Sequence, residues 1–212
     1  MATNTNCNKI VHESYQYSTD ERLIWTENIK STLSEIGLMQ SFINKEPHAH
    51  LKAFKRLQDI YHQITLEKIK REDNKLRTYA IFKTIPGFEK YLDELKCVKE
   101  RTALTKLRLS NHKLMIEKGR HSGINRELRS CPFCPNRIEN EKHFLIECQA
   151  YKRLRSNLYS EIEDIFPSIR NQPHDHRFLN LMGDVAAAPV SRFTTRAMEL
   201  RDYLLANFGE QD

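Results

Sequence analysis

Between Cys131 and Cys148 the chain places three of its five cysteines and one histidine, spaced Cys131-x2-Cys134-x8-His143-x4-Cys148. No other feature narrows the fold as much. An unbroken helix of these 18 residues would hold its ends apart, at about 1.5 Å per residue, so four donors that converge require the segment to fold back on itself. Two cysteines two residues apart form a turn from which both sulfurs reach one ion, and Pro132 and Pro135 favour its non-helical backbone. His143 and Cys148 bracket "FLIE", an offset that still directs both side chains inward. Three sulfurs and one imidazole suit tetrahedral Zn²⁺, and all four places are filled by protein, so the spacing predicts a structural site rather than a catalytic one. Two other readings stand beside it: reduced thiols with a surface histidine, and a Cys131–Cys134 redox pair, which lacks the strand–helix setting of such motifs.

An odd cysteine count and a polar start, "MATNTNCNKIVHESYQYSTD", give neither a disulfide framework nor an export or transit signal. The expected location is cytoplasmic or nuclear, where thiols stay reduced and bind metal. Cys7 and Cys97 read as ordinary thiols. No apolar run approaches the roughly 18 residues that a membrane helix needs.

Helical periodicity recurs along the chain, with six glycines, seven prolines and no convincing alternation of the strand type. The expected fold is all-α, a multi-helix bundle with a small embedded CCHC zinc knuckle. Its divisions are a flexible leader (1–17), a helical basic domain (18–130), the knuckle with its following helix (131–165), and a C-terminal helical segment (166–212). Ser18, Thr19 and Asp20 can cap a helix that carries Trp25 as a core anchor and ends near Gly37. A longer helix is expected from about 47 to 72, on a stripe of Leu51, Phe54, Leu57, Ile60, Tyr61 and Ile64. Residues 75–85 read as short helix or extended, 88–96 and 100–119 as helices, 150–166 as an amphipathic helix, "RNQPHDH" as loop, and 191–208 as the last helix.

The cluster and its surroundings, "SCPFC", "IENEKHFLIEC" and "QAYKRLR", resemble the zinc-binding segment C-terminal to the polymerase domain in non-LTR retrotransposon reverse transcriptases, with Phe144, Leu145 and Tyr151 fitting as well. Upstream, residues 75–121 are similar to a stretch of retroelement-derived, reverse-transcriptase-like proteins through Arg77, Thr78, Tyr79, Arg108, Ser110, His112, Leu114, Ile116, Glu117, Gly119 and Arg120. The resemblance covers about residues 75–160 and implies the tail of such an enzyme without its catalytic body. No Asp-Asp pair is present, and Asp175 in "HDH" has no second carboxylate and lysine at nuclease spacing. Enzymatic activity is accordingly not expected of this chain alone.

Charge points to a polyanion. Residues 51–130 hold 20 Lys/Arg against 10 Asp/Glu, while the segments on either side are slightly acidic. Lys75, Arg77, Lys83, Lys106, Arg108, Lys113, Arg120, Lys152 and Arg153 are the expected phosphate contacts, with Arg108 and Arg120 foremost. Tyr79, His112, His121, Phe133 and Tyr151 are candidates to stack on unpaired bases. The expected function is a non-catalytic, retroelement-derived module that binds RNA or single-stranded DNA. A protein-interaction scaffold, or a homodimer joined through its terminal helices, is the alternative, as is a remnant without function.

Overall fold

The computed structural model describes residues 24–71 and 75–207, with side chains from residue 27 onward. The leader expected over 1–17, Cys7 and the Trp25 side chain lie outside the described residues. The chain divides into two compact units, Met1–Ile64 and Thr65–Asp212.

In the first unit, helix α1 (Ile24–Glu35) stops where Gly37 takes a left-handed φ of 70°, a conformation glycine adopts without steric cost. A short helix α2 (Met39–Ile43) follows, then a turn through Lys45 and His48, both also left-handed. Helix α3 (Ala49–Lys70) begins beyond Pro47, close to its expected place. Leu33 of α1 and Ile36 just beyond it are the buried apolar residues here, and with Ile29 they share an apolar groove with Ala53 and Leu57 of α3. The stripe read from sequence on α3 stays largely exposed at Leu51, Phe54, Tyr61 and Ile64.

The second unit has one continuous core. Its elements run α4 (Arg77–Phe82), α5 (Tyr91–Glu94), α6 (Val98–Arg108) and α7 (Met115–His121), then a hairpin of β1 (Ser130–Cys131) and β2 (Cys134–Ile138). After a turn at His143–Glu147 come α8 (Lys152–Ile162), α9 (His174–Met182) and α10 (Ala187–Asn207). Helix α10 packs along α6 and α8. Pro189 sits in its first turn, where a missing N–H leaves no helical bond unmade. Leu104 and Leu107 of α6, Leu158 and Ile162 of α8, and Val190, Phe193 and Ala197 of α10 are buried together with Phe144, Leu145, Cys148 and Tyr151. The ring of Phe144 meets Tyr151 and Phe193 edge-on, at centroid distances of 5.0 and 5.6 Å. Each such side chain contributes about 1.5–3 kcal/mol of burial. The metal segment, expected as a division of its own, therefore shares its core with helices from before and after it.

Three local readings are corrected. The helix expected over 100–119 is two, because Ser110 adopts φ 49° and the chain turns between Arg108 and Met115. The chain is not free of strands, since the cysteines sit on a two-stranded antiparallel hairpin. "HDH", expected in a loop, opens α9 directly after Pro173.

Candidate metal centre

The hairpin sets Cys131 opposite Cys134, with an irregular register between Ser130 and Cys131 and a left-handed Asn136 beyond. The other two donors come from the next turn. Asn140 opens it by accepting the His143 N–H on its side-chain oxygen at 2.8 Å. Residues His143–Glu147 then wind as a single π turn, closed by Cys148 N–H donating to the His143 carbonyl at 2.8 Å. One such turn joins residues five apart, which is how a five-residue offset directs His143 and Cys148 to the same side.

All four ligand atoms lie within 4.8 Å of one another, and all four side chains are buried. The Cys148 sulfur is 3.8 Å from that of Cys131 and 3.7 Å from that of Cys134. These are not disulfide distances, and the three thiols are free. A tetrahedron with metal–sulfur bonds of about 2.3 Å has sulfur–sulfur edges of about 3.8 Å, so the sulfurs already stand at coordination spacing. The His143 Nε2 is buried without a hydrogen-bond partner, a costly arrangement for a polar atom unless something occupies its lone pair. The set is able to hold one metal ion. The hydrogen bond with Cys148 holds the Cys131 thiol well below its ordinary pKa against the effect of burial, and the same bond, with burial and the neighbouring charge, pushes Cys148 up. Burial alone would lower the pKa of His143, but the neighbouring Cys131 and Glu147 side chains raise it.

Supporting residues complete the centre. The Nδ1 of His143 faces Glu147 Oε2 at 3.4 Å, and the other Glu147 oxygen faces His174 Nδ1 at 3.2 Å. A carboxylate on the second nitrogen fixes the tautomer that leaves Nε2 as donor to a metal. Glu147 escaped the sequence reading, although His-x3-Glu across one turn was its signal. Arg155 donates Nε to the Leu145 carbonyl at 2.7 Å and Nη2 to the Cys148 carbonyl at 2.6 Å, clamping the turn from α8.

Three buried glutamates tie the centre to the helices around it. Glu139 accepts two bonds from Arg201, each 2.8 Å, and one from the Met115 N–H at 2.7 Å. Glu141 Oε1 is shared by Arg77 at 2.7 Å, Ser110 Oγ at 2.8 Å and His112 Nε2 at 2.9 Å. Glu117 pairs with Arg77 and Arg120. Arg129 donates to the carbonyls of Ile116 and Ile124, with its side chain packed over Gly119. Most of the polar residues on which the upstream resemblance rested are thus bracing.

This overturns part of the expected phosphate surface. Arg108 is 1% exposed. Its guanidinium bonds Glu89 and Asp184 and lies 4.4 Å from the Tyr91 ring centre, so it cannot reach a phosphate. Arg77 and Lys83 are partly buried in carboxylate pairs, and Arg120 is committed to Glu117. Lys113 is exposed but bridges to Asp202. Lys75, Lys106, Lys152 and Arg153 are exposed and make no ion pair among the described residues. Tyr151 and the His112 ring are internal, and the Tyr79 hydroxyl donates to Glu89. His121 is exposed and Phe133 half-buried.

Comparison with family models, curated proteins and solved structures found no match. No helix among the described residues is long and apolar enough to cross a membrane.

Proposed function

We propose that the chain is a nucleic-acid-binding module, for RNA or single-stranded DNA, organised by a structural zinc ion and non-catalytic on its own. The observation that carries this reading is the closed, buried four-donor cluster with uncompensated cations near it. Zinc fits because its filled d shell imposes no geometry of its own and it takes three sulfurs and a nitrogen tetrahedrally. With four protein donors there is no open place for a reacting water, which makes the ion a staple. Lys152 and Arg153 open α8 four residues beyond the last ligand, and neither makes an ion pair among the described residues. The buried carboxylates Glu117, Glu139 and Glu141 are each held by arginine rather than poised for Mg²⁺. The resemblance to the reverse-transcriptase tail supports the same reading.

Native mass spectrometry of the purified chain tests it. One zinc per chain, removable by chelator, is the expected result, together with an oligonucleotide complex that weakens as salt rises. A chain that folds without metal, or retains no RNA or DNA at low salt, overturns it.

A protein-interaction scaffold is the second reading, and the exposed stripe of α3 favours it. The last helix does not, since Phe193 and Ala197 of α10 are internal. Sedimentation that shows a monomer at all concentrations would count against self-association through α3.

A further inference from the structure

A cleft of about 590 Å³ opens beside the metal centre, lined by Cys134, Arg137, His143, Glu147, Lys152, Arg155 and His174 among others. Its size falls within the range of about 300–1,000 Å³ typical of ligand sites. Arg137, on β2, was not among the expected contacts. It is exposed, as is Lys152, and neither makes an ion pair among the described residues. Arg155 is fixed by its two carbonyl bonds, which leaves its Nη1 without a hydrogen-bond partner among the described residues. The one carboxylate on the wall, Glu147, has each oxygen engaged by a histidine.

The charges decide what this cleft lacks. Three thiolates around a divalent ion carry one net negative charge, and Glu147 adds a second. Arg137, Lys152 and Arg155 supply three positive charges at the same place. One positive charge is left over, which a single phosphodiester would neutralise. Cations gathered at a concave site raise the local potential more than the same charges on a flat surface. A guanidinium beside an ammonium suits a tetrahedral oxyanion, since the first offers a planar fork and the second a point charge.

We infer that this cleft is a phosphate site for the backbone of single-stranded nucleic acid, with Arg137 and Lys152 as its contacts and the metal centre as its rigid wall. The inference rests on the nucleic-acid reading above and adds the place where the strand is held. It also gives the zinc a role in binding, because the ion fixes the distance between β2, which carries Arg137, and the turn that leads into Lys152.

The test uses the zinc-loaded full chain and a fluorescein-labelled oligouridylate, with anisotropy followed over a salt series. Each phosphate neutralised on a single strand contributes about 0.7 to the slope of log affinity against log salt. The R137A/K152A double variant, which gives up the one phosphate of the cleft, is therefore expected to lower that slope by about 0.7, with one metal per chain retained by native mass spectrometry. The charge-conserving R137K/K152R variant is expected to keep the wild-type slope. A double alanine variant that binds with the wild-type affinity and slope overturns the inference while leaving the nucleic-acid reading in place. Wild-type protein that binds no oligonucleotide at low salt removes both. Poly-glutamate that displaces the oligonucleotide as well as an unlabelled strand of equal charge also overturns it, in favour of an acidic polypeptide.

Discussion

Two glutamates show what single residues do here. Glu147 reaches no ion itself, but it bonds the imidazole that would, and His174 holds it from the other side. Replacing such an outer partner costs about 10–100-fold in metal affinity. E147A is expected to lose affinity in that range in a competition titration against a chromophoric chelator, while E147Q, which keeps an acceptor, loses less. Equal affinities for all three proteins would show that Glu147 merely caps α9. Glu141 makes the second case. Burial pushes its pKa up, but hydrogen bonding and attraction to His112, and attraction to Arg77, outweigh this and bring it from 4.5 down to about 2. A depressed carboxylate stabilises the fold above its unfolded pKa, and that stability is lost as pH falls from 4.5 through about 2. The full effect is on the order of 3 kcal/mol. Between pH 5 and 3 the urea midpoint of the wild type should fall more steeply than that of E141Q. Parallel curves would assign the acid sensitivity elsewhere.

At the scale of elements, the hairpin, the π turn and α7 behave as one braced unit. Helix α7 approaches the hairpin closely because residue 119 has no side chain. A Cβ built there would lie 2.7 Å from Arg129 Cγ, displacing the guanidinium that bonds the Ile116 and Ile124 carbonyls. G119A is expected to destabilise the protein by about 1–3 kcal/mol through overpacking and lost hydrogen bonds, read as a lowered thermal midpoint. An unchanged midpoint would mean that Arg129 swings aside freely. Elements of this kind also explain what the sequence conceals. The ligands were legible because their spacing is local, and α3 and α10 because their apolar stripes run for several turns. The break at Ser110 was not, since Ser110 and His112 leave the helix to meet Glu141, some thirty residues ahead. Two strands of two and five residues are too short to show alternation. Arg108 misled because a buried, carboxylate-paired arginine and a phosphate-binding one look alike until the fold places Glu89 and Asp184 against it.

For the whole second unit, the candidate metal centre and the core are one structure. Cys131, Cys134, Cys148, Phe144 and Tyr151 belong to the same buried cluster as Leu104 of α6 and Phe193 of α10. Structural zinc binding to small motifs is worth about 10–16 kcal/mol, which matches or exceeds the total stability of a typical domain, about 5–15 kcal/mol. Without an ion, three buried thiols and an imidazole whose Nε2 has no partner among the described residues remain at the point where β2, the π turn and α8 join. Local loosening there cannot stay local, because Phe144 carries the contact on to Phe193 and Glu139 ties the same segment to Arg201. Chelation is therefore expected to abolish hydrogen-exchange protection in α6, α8 and α10 together, and C134S to lower the thermal midpoint of the same transition. Protection in α6 and α10 that outlasts protection of the hairpin would make the centre a separable appendage. The cleft at Arg137 and Lys152 would then belong to a module that folds by itself.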